Sequence, residues 1–305
     1  PSAAEDIDLF VGVDQSNSSA SNVLFVIDNG ANWASNVNDK RCNISDAGVV
    51  KTDGTGSNSD FTYLDKTSAA IQQCAMYAAL KDINVASGSA LRISVLGFNA
   101  TGLKTYNPVT NTESTVCPGG TGGCVLLPFT TLDATTKPRI LNWIRQLSKA
   151  NNQGNNISTN NRNNGAAMQE AWAYYQGKTG ISGRSYSASG SQMSTCGGGN
   201  YVIFVGNAYG NNSVPNDQTN DAYSPSKPLK GLSDAGKNAD PVALASELAA
   251  LTGSVTTSCP RGNNVTANSK NLNLGNLNEG AGVYAIHWAA YMRRQGIKSY
   301  AVGIT

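Results

Sequence analysis

The sequence predicts an α/β fold: a doubly wound, mostly parallel sheet flanked by helices and interrupted by long polar loop insertions. Three observations lead there. Residues 22–28 read Asn-Val-Leu-Phe-Val-Ile-Asp, an unbroken apolar run stopped by Asp28-Asn29-Gly30. A run without alternation suits a strand buried on both faces, as strands of parallel sheets are. Residues 201–205 (Tyr-Val-Ile-Phe-Val) repeat the pattern and break at Gly206-Asn207. Between and after these runs, segments of helical spacing alternate with further apolar stretches, the order from which such sheets are wound.

Taken in order, residues 6–12 alternate polar and apolar side chains. They are read as an edge strand or part of an amino-terminal extension over residues 1–21, with residues 22–305 forming one domain. Residues 36–60 are polar and Gly-rich, a surface excursion. Residues 66–83 are expected to be helical, with Ile71, Cys74, Ala75, Ala78 and Ala79 along one face. Strands follow at 91–98 and 125–129. Residues 138–147 form a helix turning Ile140, Leu141, Ile144 and Leu147 inward, and residues 165–176 another. The Asn-rich stretch 151–164 between them reads as a solvated loop. Residues 211–238 and 254–280 are long polar loops. Asp240 caps a helix with Pro241 at its first position and Gly253 past its end. A last helix covers 282–295 and a last strand 298–305. Strands 22–28, 91–98, 125–129, 201–205 and 299–304 belong to one sheet. Asp28 and Asn207 then emerge at its carboxyl edge, where open α/β sheets bind ligands.

Composition narrows the function. The 305 residues are only 14% charged, with net charge +2. That leaves no basic stripe for nucleic acid and no acidic field for cations. The surface must be covered by Asn, Ser, Thr and Gly, a habit of secreted proteins. No apolar stretch approaches the length of a membrane span, and Pro1-Ser2-Ala3-Ala4 looks like a processed or trimmed end.

Six cysteines allow fifteen connectivities. With a single histidine and no Cys-x-x-Cys, a zinc site is not expected. Cys117-Pro-Gly-Gly-Thr-Gly-Gly-Cys124 is a Gly-rich turn with a cysteine at each end, read as a bridge. Cys42 with Cys74, and Cys196 with Cys259, complete the expected set. The competing reading, a buried free thiol, fits Cys74 best, because it lies on an apolar helical face. Disulfides imply an oxidising compartment.

Other candidates point to packing. His287 sits beside Trp288 in an apolar helix, and no Gly-x-Ser-x-Gly accompanies it, so a hydrolytic triad is not expected. Gly197-Gly198-Gly199 precedes a strand and is not a phosphate cradle. Trp143 and Trp172 read as core; Trp33, at a strand mouth, is the aromatic side chain best placed for a sugar platform.

The Asp28 strand resembles the first strand of von Willebrand factor A domains, which leads into the metal-ion-dependent adhesion motif Asp-x-Ser-x-Ser. Asp28 is kept, while Gly30 and Asn32 stand where the serines belong. One branch of that family is closer. Residues 6–12 followed by 22–33 look like the amino-terminal region of the PilY/PilC proteins of bacterial type IV pilus tips. Gly165-Ala166-Ala167-Met168 matches the run that begins Gly-Thr-Pro-Leu in that family. Cys196 through Tyr201-Val202-Ile203 and Gly206-Asn207-Ala208 match its next landmark. Residues 283–292 and 297–305 are similar to its last helix and strand. The resemblance spans nearly the whole chain and omits the family's carboxyl-terminal β-propeller.

The resemblance implies a non-catalytic adhesin or pilus-assembly domain, secreted or at the bacterial cell surface at a pilus tip. Its partners would be minor pilins, other tip proteins, or a host or surface receptor, with no nucleic acid, membrane insertion or cofactor. The family's metal ligands fall on Asp28, Gly30, Asn32, Ala166 and Asn207, which retain one carboxylate. A hard cation needs several oxygens in one place, and Gly30 and Ala166 supply none. Asp28 is therefore read as a cap on the following turn. The alternatives are a cation held at Asp28 with water and carbonyls, as in a cation-dependent ligand-binding A domain, and a secreted carbohydrate-acting enzyme.

Overall fold

The computed structural model describes residues 20–30, 43–50, 57–62, 68–85, 91–120, 122–148, 155–157, 159, 164–194, 198–207, 256–258, 264–266, 288–289, 292–293 and 295–304. The expected strand at 6–12, the helix at 240–253 and the loop at 211–238 lie outside them, as does most of the loop at 254–280.

Chain order gives β1 (Ser21–Ile27), β2 (Asn43–Val50), β3 (Ser57–Thr62), α1 (Ser68–Lys81), β4 (Leu91–Phe98), β5 (Lys104–Asn107) and β6 (Thr112–Val116). There follow β7 (Gly123–Thr131), α2 (Thr136–Gln146), β8 (Leu147–Ser148), β9 (Asn155–Asn156) and α3 (Asn164–Gln176). The last elements are β10 (Asn200–Asn207), β11 (Thr256–Ser258), β12 (Asn264–Thr266) and β13 (Ile297–Ile304). Trp288, Ala289, Met292 and Arg293 are helical, within the last expected helix.

Five strands form one sheet in the order β13-β10-β1-β4-β7. Pairs β13/β10, β10/β1 and β1/β4 are parallel, and β7 runs antiparallel to β4. These are the five strands the apolar runs predicted. The alternating side chains of the central strand show why it had to be apolar throughout. Val23, Phe25 and Ile27 enter one core with Met76, Tyr77 and Leu80 of α1 and Ile140, Trp143 and Ile144 of α2. Leu24 and Val26 enter a second with Ala167, Ala171 and Trp172 of α3, Trp288 and Met292. Each such side chain contributes roughly 1.5–3 kcal/mol by leaving water.

Two helix readings are refined. Trp143 and Trp172 are core residues as expected, Trp143 stacking on Tyr106 at 5.8 Å. The inward face of α1 is corrected in part: Cys74 is buried as expected, but Ala75 is exposed and Ala78 and Ala79 are half-buried, while Gln73, Met76, Tyr77 and Leu80 are buried at i, i+3, i+4 and i+7. Alanine is apolar on every scale yet has little area to bury, so the larger side chains set the rotation of the helix.

Polar side chains fasten the elements together. Lys137 Nζ donates to the carbonyls of Lys81 and Ile83, both at 2.6 Å, closing the carboxyl end of α1. At the amino edge of the sheet, Arg92 donates to Gln192 Oε1 at 2.9 Å while lying over the Phe129 ring. Asn22 Nδ2 donates to the Gln192 carbonyl and to Asn200 Oδ1. That edge is sealed by side chains.

The excursion at 36–60 holds β2 and most of β3, which pair antiparallel. Two further departures lie nearer the carboxyl edge. The hairpin β5/β6 follows β4. Within the stretch read as a solvated loop, Ile157 and Thr159 are buried.

Candidate functional site

The parallel strands end together. Ile27 pairs with Val205 and Gly97, and the Asp28 amide donates to the Val205 carbonyl at 2.9 Å. Asp28 and Asn207 therefore leave neighbouring strands at one edge. Asp28 is buried, 3% exposed, and its Oδ1 accepts the Gly30 amide at 2.9 Å, closing an Asx turn. Ala166, near the start of α3, is fully buried in the Leu24–Val26 core and brings no oxygen. Asn207 ends β10, its backbone in register with Ile304. Asn32 lies outside the described residues, as do Cys42, Cys196, Cys259, His287 and Trp33.

A divalent cation would need six or more oxygens. Of the motif positions among the described residues, one brings a carboxylate, Asp28, and one of its oxygens already accepts the Gly30 amide. Among the described residues no group of three or more His, Cys, Asp or Glu side chains could hold a metal ion. This donor set does not fit the cation of an adhesion motif.

Three residues that the sequence did not single out organise the edge instead. Asn29, fully buried, donates through Nδ2 to the carbonyls of Ile157 (2.5 Å) and Phe98 (3.3 Å) and accepts the Phe98 amide at 2.6 Å. Its own carbonyl accepts the Thr159 amide at 2.9 Å. This explains why Ile157 and Thr159 are drawn in from an Asn-rich loop.

Asn99, one residue past β4, grips the glycine turn. Its Nδ2 donates to the Gly119 carbonyl at 2.7 Å, its Oδ1 accepts the Gly119 amide at 3.3 Å, and its amide donates to the Gly122 carbonyl. Cys117 and Cys124 are bridged across that turn, their Cα atoms 5.9 Å apart, and both are buried. Cys74 is also disulfide-bonded.

Glu170 is the third. Its carboxylate has no exposed surface and accepts from the Ser182 amide (3.0 Å), the Ser182 hydroxyl (2.7 Å), the Tyr186 hydroxyl (2.7 Å) and the Gly123 amide (3.4 Å). It ties α3 to the segment 180–186 and to the end of the bridged turn. Burial pushes its pKa up, and the four donors pull the other way. Burial, and then the Glu170 charge, hold the Tyr186 hydroxyl well above its ordinary range, so it remains a neutral donor.

The edge therefore brings together the turn at Asp28–Gly30, the residues following β4, the bridged glycine turn, and Ile157 and Thr159, with no nucleophile–base pair among the groups just described. No protein-family model matches the chain, and no curated protein matches it. Among the described residues no helix is long and apolar enough to cross a membrane.

Proposed function

We propose that this chain is a doubly wound, von Willebrand factor A-like domain of the PilY/PilC kind, and that it serves a type IV pilus tip in adhesion or pilus assembly without catalysis. The observation that carries the reading is the strand order β13-β10-β1-β4-β7, with Asp28 at the carboxyl end of the central strand. The two cores support the finer fold: α1 and α2 on one face, α3 with Trp288 and Met292 on the other. Gly30 and Ala166 at the motif positions, and the Asx turn at Asp28, support contact through protein surface without a bridging ion. The domain works outside the cytoplasm, against minor pilins, other tip proteins or a surface receptor.

Two measurements test this. Labelled antibody should find the protein at the ends of purified pili. Pull-down of pilus tip proteins should be unchanged by a chelator. A distribution along the shaft, or absence from pili altogether, would remove the tip assignment. Loss of capture on chelation, restored by magnesium and abolished by Asp28→Ala, would favour the cation-dependent alternative.

A further inference from the structure

The carboxyl edge of this sheet is fastened by an amide. A carboxamide brings two donor hydrogens and an acceptor oxygen, and Asn29 uses both kinds. One donor meets Ile157 O, another meets Phe98 O, and Oδ1 takes the Phe98 amide. With its main-chain carbonyl on the Thr159 amide, the residue joins the ends of β1 and β4 to the segment that leads into α3. The slot is shaped for it: a Cβ at Gly97 would stand 3.2 Å from both heteroatoms of the Asn29 amide. No other side chain of this size satisfies the slot. A carboxylate would set the oxygen in place of Nδ2 against two carbonyl oxygens, and an apolar side chain would take the Asn29 partner from an amide and two carbonyls.

We propose that Asn29 is a positioning residue, a cation-free latch that holds the β1 and β4 ends and the 157–159 segment in one fixed arrangement. Links between separate loops, which an ion could make through shared oxygen ligands, are made here by one neutral side chain. It follows that the edge presents a single preset surface, which a partner meets without an ion and without rearranging these turns. This last consequence rests on the reading of the edge as a contact surface; the latch itself rests on geometry alone.

Amide hydrogen exchange followed residue by residue tests it, with Asn29→Ala, Asn29→Asp and, as control, Gln73→Ala. Gln73 is a buried amide of α1 that donates to the carbonyls of Ile144 and Leu147. In Asn29→Ala the Phe98 amide loses its acceptor, while the Thr159 amide keeps the main-chain carbonyl it bonds but loses the side-chain anchor of its segment at Ile157; both should lose protection by about tenfold or more. The β1 amides of Leu24 and Val26 should stay within about threefold, since local opening is separable from global unfolding. In Gln73→Ala protection should change in step across the sheet. Asn29→Asp adds a readout that loss of packing does not give. Its ionised form repels the two carbonyls, while its protonated form donates to one, so protection at Thr159 should return as pH falls. Full protection of Thr159 and Phe98 in Asn29→Ala would overturn the latch. So would loss that only follows the sheet as in Gln73→Ala, or an Asn29→Asp profile flat in pH. If Asn29→Ala does not fold, the Asn29→Asp pH series decides alone. A latch that releases as described, in a protein whose contacts are lost on chelation, would keep the latch and remove the cation-free surface.

Discussion

The Tyr186 hydroxyl donates a 2.7 Å hydrogen bond to Glu170 Oε1, and both residues are buried. The nearby cation, Arg184, lies over the Tyr186 ring and donates to Thr105 Oγ1. Glu170 is held by donors, and its charge is costly to bury.

That cost makes stability depend on pH in a direction opposite to most carboxylates. The folded pKa of Glu170 lies above its unfolded value, so the folded state binds the proton more tightly. The associated stability is fully present below the ordinary glutamate range and is lost as pH rises through the folded value. Asp133, lowered chiefly by the Thr136 amide, acts with the reverse sign, losing its contribution as pH falls below the ordinary carboxylate range. Urea unfolding should therefore show stability falling as pH rises above the ordinary glutamate range, and Glu170→Gln should flatten that fall. Identical slopes in the two proteins would show that Glu170 does not titrate in this window.

A steric neighbour gives a second prediction. Gly180 faces the Glu170 carboxylate so closely that a Cβ there would collide with it. Gly180→Ala should cost roughly 2 kcal/mol, in the range for overpacked sites. Glu170→Ala should cost about 3 kcal/mol, because the Ser182 and Gly123 amides and the Tyr186 hydroxyl lose their acceptor. In the Glu170→Ala background the added methyl has room, so the double variant should be little worse than Glu170→Ala. Simple additivity in chemical denaturation would contradict this.

The bridged turn supplies a third. Closing a loop of about eight residues removes roughly 2.5 kcal/mol of unfolded-state freedom, and Cys117→Ser with Cys124→Ser should cost up to that amount. Intact mass and peptide mapping of unreduced protein should recover a Cys117–Cys124 peptide pair, along with the expected Cys42–Cys74 and Cys196–Cys259 pairs. Six free thiols would refute the set.

What the sequence made legible was whatever depends on a run of neighbours. The unbroken apolar stretches ending at Asp28 and Gly206 marked β1 and β10: β1 is buried along its whole length, and Val202 and Val205 of β10 are buried beside half-buried neighbours. The inward side of α2 was legible for the same reason. Asn29 was not, since its three partners lie at Phe98 and Ile157, far along the chain, and nothing local distinguishes a latch from a turn asparagine. Ile157 was hidden in a polar stretch, and its carbonyl accepts from the Asn29 amide. Glu170 left a signal that could have been used: it is the single charged residue in the otherwise neutral α3. A lone carboxylate in a helix buried nearly all round must find donors.

The central claim is that this edge is complete without a cation. Calorimetric titration of the intact protein with magnesium, calcium and manganese tests it most directly. The account predicts no saturable heat with any of the three, and no difference between the protein and Asp28→Ala. Saturable binding that Asp28→Ala abolishes would contradict it.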